Sequence, residues 1–277
     1  MSEPIRLAGV IGSPVGHSLS PRLHRHWLER YGIPGHYVPL EIGQADLAEA
    51  LSLLPRMGFV GANVTIPHKE SVLKLADIVS DRAALIGAAN TLIFRPDGRL
   101  HADNPDGHGF IASLRQSAPA WDPSAGPAAI FGAGGAARAV VVALLDAGVS
   151  QVRLANRSRP RAEALRAEFG ARIVVHDWVQ AGNMLEEATT VVTTTSLGMT
   201  GKPDFRIPLD GLSPRAVVSD LVYTPLRTGF LDAAAAQGCT TVDGLGMLLH
   251  QAAPGFERWF GVRPEVDAVA RAAVLSA

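Results

Sequence analysis

The stretch "AAIFGAGGAARAVVVALLDAG", residues 128–148, limits the possible folds of this chain more than any other. Four apolar residues lead into a run of small ones, then into a long segment of helix formers closed by Gly148. The order is strand, tight turn, helix. Gly132 permits the turn, Gly134 lets the main chain come close to a pyrophosphate, and Ala137 keeps the helix near the strand. The start of the helix offers unpaired N–H groups and a partial positive charge to an anion. The loop Gly132, Ala133, Gly134, Gly135 and Ala136 is therefore the expected phosphate cradle of a doubly wound, dinucleotide-binding sheet.

The next strand speaks to the nucleotide. Where this fold binds NAD, an Asp or Glu about 20 residues beyond the glycines accepts hydrogen bonds from the ribose. Here the chain reads "LANRSRPRAEAL" (154–165), with Asn156, Arg157, Ser158 and Arg161 and no carboxylate before Glu163. An acid would repel a 2′-phosphate, whereas guanidinium groups bind phosphate as a planar fork. The expected cofactor is NADP, contacted by Arg157 directly after the strand. Arg159 reads as a solvated residue.

The stretch "QSAPAWDPSAGP" (116–127) reads as a connection, and six candidate strands come after it: "AAIF", "QVRLAN", "RIVV", "TTVVTTT", "AVVSDLV" and "CTTVDG". Six strands separated mostly by helical patterns suit a complete dinucleotide-binding domain. Before the connection, "IRLAGVIG", "HYVPLEI", "FVGANVT" and "AANTLIF" read as strands of a largely parallel sheet. "PRLHRHWLERYG" reads as a helix from the spacing of Leu23, Trp27 and Tyr31, with Pro21 in its first turn and a stop at Gly32. After the sixth strand of the second series, "GLGMLLHQAAPGFERWFG" is helical. A helix there either caps the second domain or crosses back to the first.

With 277 residues, 47% apolar and 18% charged, the chain has material for two packed domains. A formal net charge of −1 gives no reason to expect nucleic acid or an anionic membrane as partner. Cys239 is the only cysteine, which excludes an intrachain disulfide and suits a reducing compartment. No segment is apolar for the length of a bilayer, and the first sixteen residues lack a basic start with an apolar core. A cytoplasmic protein, monomeric or homodimeric, is expected.

The first domain must supply the substrate side. "GHSLSP" (16–21), "GANVTIPHKE" (61–70), "IGAANTLI" (86–93) and "DNPDGHGF" (103–110) put small hydrogen-bonding side chains at strand ends or turns. Open α/β sheets bind ligands there. Ser18, Ser20, Asn63, Thr65, Asn90 and Asp106 make a donor-rich set with one cation, Lys69, suited to a small polyhydroxylated acid. Each also has an ordinary reading: Ser20 as a helix cap, Asn90 as a turn residue, Asp106 as a cap for the helix after it. His68 adjoins Lys69 but neighbours on an extended strand point different ways. His17, His24 and His26 make no metal-ligand spacing, and no metal is expected.

Taken in order, "SLSP", "GANVTIPHK", "GAANT", "GAGGAAR", "ANRS", "TSLGM", "VYTPLRTGFL" and "DGLGMLLHQAAPGFERWFG" resemble the signature blocks of the shikimate dehydrogenase family, from about residue 9 to residue 261. The resemblance implies a two-domain α/β protein: an N-terminal substrate domain, a Rossmann-type NADP domain, and C-terminal helices returning to the first. The boundaries expected are 1–105 with 244–277, and 106–243. It implies reversible reduction of 3-dehydroshikimate to shikimate with NADPH. Carried over residue by residue, Ser18 and Ser20 would hold the substrate carboxylate. Asn63, Thr65, Asn90 and Gln251 would bind ring hydroxyls or orient the ring, and Tyr223 would border it. Lys69 and Asp106 match the catalytic pair. Thr195, Ser196, Gly246 and Met247 match positions by the cofactor.

Two departures stand out. The family's Asn-Thr-Asp is Asn104, Pro105, Asp106 here, which removes a hydroxyl and an N–H. Its Asn-Ala-Thr-Ser is Thr193, Thr194, Thr195, Ser196. Quinate or an amino-substituted shikimate therefore stays open as the substrate, and so does a non-catalytic NADP(H) or metabolite sensor. The twin serines argue against quinate.

Overall fold

A computed structural model describes residues 5–276, which fall into two compact units. One comprises the described residues up to Pro105 and from Leu248 onward; the other is Asp106–Met247.

The first unit begins with β1 (Arg6–Gly12), α1 (Ser20–Arg30), β2 (Gly35–Glu41), α2 (Leu47–Leu53) and β3 (Phe59–Val64). Then come β4 (Ile78–Val79), α3 (Asp81–Ile86), β5 (Thr91–Phe94) and β6 (Leu100–Asp103). The sheet order is β2-β1-β3-β5-β6-β4. Only β5 runs against its neighbours. Its reversal comes from a tight hairpin into β6, closed by Arg95 N–H to Arg99 O at 3.0 Å with Gly98 left-handed at φ 81°. The "PDG" at 96–98 is an ordinary hairpin signal, so β6 has a local cue that the strand assignment from sequence did not use.

Helix α1 buries Leu23 and Trp27 as their four-residue spacing predicts, and Gly32 lies just past its end in the left-handed region. Ser20 does not cap it: Leu19 holds that position and Ser20 is the first helical residue, buried. The helical tail is α8 (Gly244–Phe260) and α9 (Ala268–Leu275). The part of α8 from Leu248 onward belongs to this unit: Trp259 Nε1–H donates to Leu92 O of β5 at 2.9 Å. The close approach requires Gly61, since any Cβ there would overlap Trp259 and Leu92 O. His24, Trp27, Tyr37, Phe256 and Trp259 form one aromatic cluster.

The second unit comprises α4 (Asp106–Ser117), β7 (Ala128–Phe131), α5 (Gly135–Ala147), β8 (Val152–Ala155), α6 (Arg159–Phe169), β9 (Ile173–His176), β10 (Thr190–Thr193), β11 (Val217–Asp220), α7 (Gly229–Ala236) and β12 (Thr240–Val242). The first turn of α8 completes it. All six strands are parallel, in the order β12-β11-β10-β7-β8-β9. The order reverses between β7 and β10, which makes that edge the switch point where such sheets bind ligands. The connection at 118–127 lies inside this unit: Trp121 Nε1–H donates to Thr190 Oγ1 at 2.9 Å.

Candidate active site

In the first unit, β1 and β3 are parallel neighbours, so the loops leaving them emerge at one edge. Ser18 and Ser20 lie beyond the end of β1; Thr65 and Lys69 lie beyond the end of β3. The two loops are tied by Thr65 N–H to Ile11 O at 2.9 Å and Ser13 N–H to Ile66 O at 3.0 Å. Because β5 is antiparallel, its first residue, Thr91, sits opposite Asn63 near the end of β3. Asp103, the last residue of β6, pairs with Thr91. Chain reversal thus delivers four segments, distant in sequence, to one edge. Ala89 N–H donates to Lys69 O at 2.7 Å, which anchors the half-buried lysine to the Asn90 loop.

Behind this edge runs a chain of side-chain hydrogen bonds. Tyr37 Oη–H donates to Asn63 Oδ1 at 2.6 Å. Asn63 Nδ2 donates to Asn90 O at 3.0 Å and to Thr91 Oγ1 at 3.3 Å. Thr91 Oγ1–H donates to Asn90 Oδ1 at 2.8 Å, and Asn90 Nδ2 to Gln251 Oε1 at 2.9 Å. Gln251 Nε2 donates to Leu248 O at 3.0 Å. Burial pushes the pKa of the Tyr37 hydroxyl well above its ordinary value, and Ser20 opposes the shift. Sequence reasoning finds Ser20, Asn63, Asn90 and Gln251 but misses Tyr37 and Thr91. Thr91 stands inside the "GAANT" block; Tyr37 has only its inward place in a strand.

His24 stacks on Tyr37 with ring centroids 3.9 Å apart, and burial lowers its pKa to about 3. His68 is also buried, with Nε2 2.7 Å from Ile42 O. Burial pushes the Asp103 carboxyl up, but Arg82, which grips it with two nitrogens, together with Ser80 and Asn104 N–H, brings it down to about 2. Asn104 is fixed as well, donating from Nδ2 to Ala88 O at 2.7 Å. Pro105 is next, and buried Asp106 opens α4 of the second unit.

In the second unit, the loops after β7 and β10 lie side by side: Thr194 N–H and Oγ1 both donate to Phe131 O, at 2.8 and 2.9 Å. Gly132 has φ 115°, and a Cβ on it would overlap Thr194 Oγ1. Gly134 is the N-cap of α5 and provides no capping side chain; a Cβ there would meet nothing within 4 Å. Space beside unpaired helix N–H groups fits a phosphate. Asn156 Nδ2 donates to Ser158 O at 2.8 Å. Arg157 and Arg161 are exposed, whereas Arg159 is paired with Asp177 and Glu163. Thr195 Oγ1 accepts from Leu197 N–H at 3.2 Å, and Ser196 beside it is exposed. Gly246 and Met247 are buried in the first turn of α8, and Gly246 packs against Ser113 of α4. Tyr223 lies just beyond β11, where burial raises its phenol pKa.

Three family models match the chain: the shikimate dehydrogenase substrate binding domain at residues 10–92, shikimate/quinate 5-dehydrogenase at 122–199, and the shikimate 5′-dehydrogenase C-terminal domain at 244–274. The shikimate dehydrogenase (NADP(+)) of Cereibacter sphaeroides is 71% identical to it over 278 residues, covering 100% of each chain. The chain belongs to the shikimate dehydrogenase family. Among solved structures of this family, shikimate 5-dehydrogenase from Thermus thermophilus in complex with NADP(H) and shikimate is 38% identical, with a TM-score of 0.87 and 98% of each chain covered. Quinate dehydrogenase from Corynebacterium glutamicum in complex with NAD is 31% identical, with a TM-score of 0.90 and 99% of each covered. One fold thus serves shikimate dehydrogenases and a quinate enzyme alike, and the choice between acids must rest on side chains.

Proposed function

We propose that this chain is an NADP-dependent shikimate dehydrogenase, reversibly reducing 3-dehydroshikimate to shikimate in aromatic amino acid biosynthesis. The observation that carries the reading is the gathering of Ser20, Asn63, Asn90, Gln251 and the Lys69 turn at one edge of the first unit. NADPH, when bound, supplies the hydride that turns the ketone carbon into a carbinol. Gly134 and the first turn of α5 hold the pyrophosphate, and Arg157 and Arg161 the 2′-phosphate, with Asn156 and Ser158 beside them. Ser18 and Ser20 hold the substrate carboxylate; Asn63, Thr65, Asn90 and Gln251 bind or orient the ring hydroxyls, and Tyr223 borders it. Thr195, Ser196, Gly246 and Met247 line the nicotinamide side.

Lys69 gives its proton to the developing alkoxide oxygen and takes it back in the oxidation direction. Asp106 orients the ammonium and accepts from a neighbouring ring hydroxyl. General acid–base help of this kind is about 10²- to 10⁴-fold in rate. Lys69→Ala should therefore lower kcat by that range while shikimate still binds, measured by turnover and by equilibrium titration. Near-normal turnover would end the assignment of Lys69. Comparing kcat/KM for shikimate, quinate and aminoshikimate settles the preferred acid, and any NADPH turnover on 3-dehydroshikimate removes the sensor reading. A cytoplasmic protein, monomeric or homodimeric, fits the single buried Cys239; no helix among the described residues is long and apolar enough to cross a membrane.

A further inference from the structure

The hydrogen-bond chain behind the substrate edge has a direction, and both of its ends are fixed. A main-chain carbonyl can only accept. Asn90 O takes Asn63 Nδ2 at 3.0 Å, so the amide oxygen of Asn63 must face Tyr37. Leu248 O takes Gln251 Nε2 at 3.0 Å, so Gln251 Oε1 must face Asn90 Nδ2, and Asn90 Oδ1 must then face Thr91. The two half-chains meet at Thr91 Oγ1, which accepts from Asn63 and donates to Asn90. Only a hydroxyl can do both with one proton. At the outer end the Tyr37 hydroxyl donates to Asn63 Oδ1 and is backed by the His24 ring. All of these side chains are buried, so water cannot replace a missing partner freely.

We infer that Thr91 and Tyr37 are positioning residues for substrate binding: through one hydroxyl each, they hold the Asn63 and Asn90 side chains in place, in the orientation that the Asn90 and Leu248 carbonyls set for the Asn63, Asn90 and Gln251 amides. The inference rests on the proposed role of those amides. Losing a buried hydrogen-bond joint leaves two groups unpaired, which corresponds to about ten-fold or more in affinity.

The test uses the full chain with shikimate and NADP⁺ in steady state, beside thermal melts of each variant. Thr91→Val keeps the shape and removes the hydroxyl; Thr91→Ser keeps the hydroxyl and removes the methyl. The expected result is a KM for shikimate raised about ten-fold in Thr91→Val and restored to within about two-fold in Thr91→Ser, with the KM for NADP⁺ unchanged in both. Tyr37→Phe should raise the same KM in the same selective way, and it carries the test if Thr91→Val fails to fold. An unchanged shikimate KM in Thr91→Val overturns the inference. So does a Thr91→Ser enzyme as impaired as Thr91→Val, because the methyl would then be what counts. Asn90→Ala and Gln251→Ala separate the two layers. If neither raises the shikimate KM, the reading of the site itself has failed; if both do and the hydroxyl variants do not, only the positioning role has.

Discussion

Asn63 and Gly134 both belong to motifs near the carboxyl end of a strand, β3 in the mixed sheet and β7 in the parallel one, and they are made ready for a ligand by opposite means. Asn63 commits both N–H groups and one oxygen lone pair to Asn90, Thr91 and Tyr37. Gly134 commits nothing: it has no side chain and leaves the first turn of α5 open. The substrate edge is built from side chains that reach across 161 positions of sequence, from Asn90 to Gln251. The nucleotide cradle is built from main chain within one strand, turn and helix. An edge of the first kind depends on whatever packs behind it, and one of the second kind depends mainly on its own backbone.

The sharpest way to break this contrast is acid. His24 is fully buried in the first unit, and its pKa falls from an ordinary 6.5 to about 3 through burial. The unfolded chain takes up that proton near pH 6.5 and the folded chain only near 3. Stability is therefore complete above about 6.5 and is lost as pH falls, by about 1.4 kcal/mol per unit and about 4–5 kcal/mol in all. His24→Leu should flatten the profile by one proton's worth of slope. Urea unfolding at pH 7, 5.5 and 4.5 measures it, and parallel profiles for the two proteins would remove His24 as the cause. Hydrogen exchange at pH 4.5 should show β2 and β3 opening before β7 and β10.

A pair of glycine substitutions sharpens the comparison next. Gly61→Ala drives a methyl into Trp259 and a main-chain oxygen, so the first unit should lose about 3 kcal/mol or fail to fold. Gly134→Ala has open space and an ordinary backbone, φ −94° and ψ −173°, so the melting temperature should stay within about 2 °C. Its effect belongs to the ligand alone: KM for NADP⁺ should rise about 10- to 100-fold because the methyl occupies the space of a phosphate. A destabilised Gly134→Ala protein would mean that the fold, and not the cofactor, requires that glycine.

The same contrast explains what the amino-acid sequence reveals by itself. The second sheet is legible strand by strand, because "AAIF" through "CTTVDG" are short β-branched or apolar runs separated mostly by helical patterns. Its cradle is legible because the chemistry sits in consecutive residues. In the first unit, β1, β2, β3 and β5 are legible, but β4, of two residues, carries no periodicity. Lys69, Asn63 and Asn90 stand out from their motifs, whereas the bond from Asn90 to Gln251 has no local signal. Tyr37 shows why: its phenol looks like any inward strand residue until Ser20, Asn63 and His24 are brought around it. Gly61 belongs to the "GANVTIPHKE" motif, but its reason lies at Trp259.

The smallest expected effect tests the charged side chains of the nucleotide site. Arg157 and Arg161 are exposed after β8, with no acidic partner among the described residues, while Arg159, two residues beyond Arg157, is already engaged by Asp177 and Glu163. A guanidinium without a partner is available to a 2′-phosphate; one held by two carboxylates must first give them up. Arg157→Ala should raise KM for NADP⁺ about ten-fold, leave kcat/KM with NAD⁺ within about two-fold, and weaken the dependence of NADP⁺ binding on salt. Arg159→Ala should shift KM for NADP⁺ by less than about two-fold, since exposed ion pairs contribute little. If both variants lose NADP⁺ equally, the two carboxylates do not distinguish the arginines, and the 2′-phosphate is held by the general positive field of the β8–α6 turn. If NAD⁺ turnover falls along with NADP⁺, Arg157 supports the adenosine as a whole, and the preference for NADP must come from elsewhere on that turn.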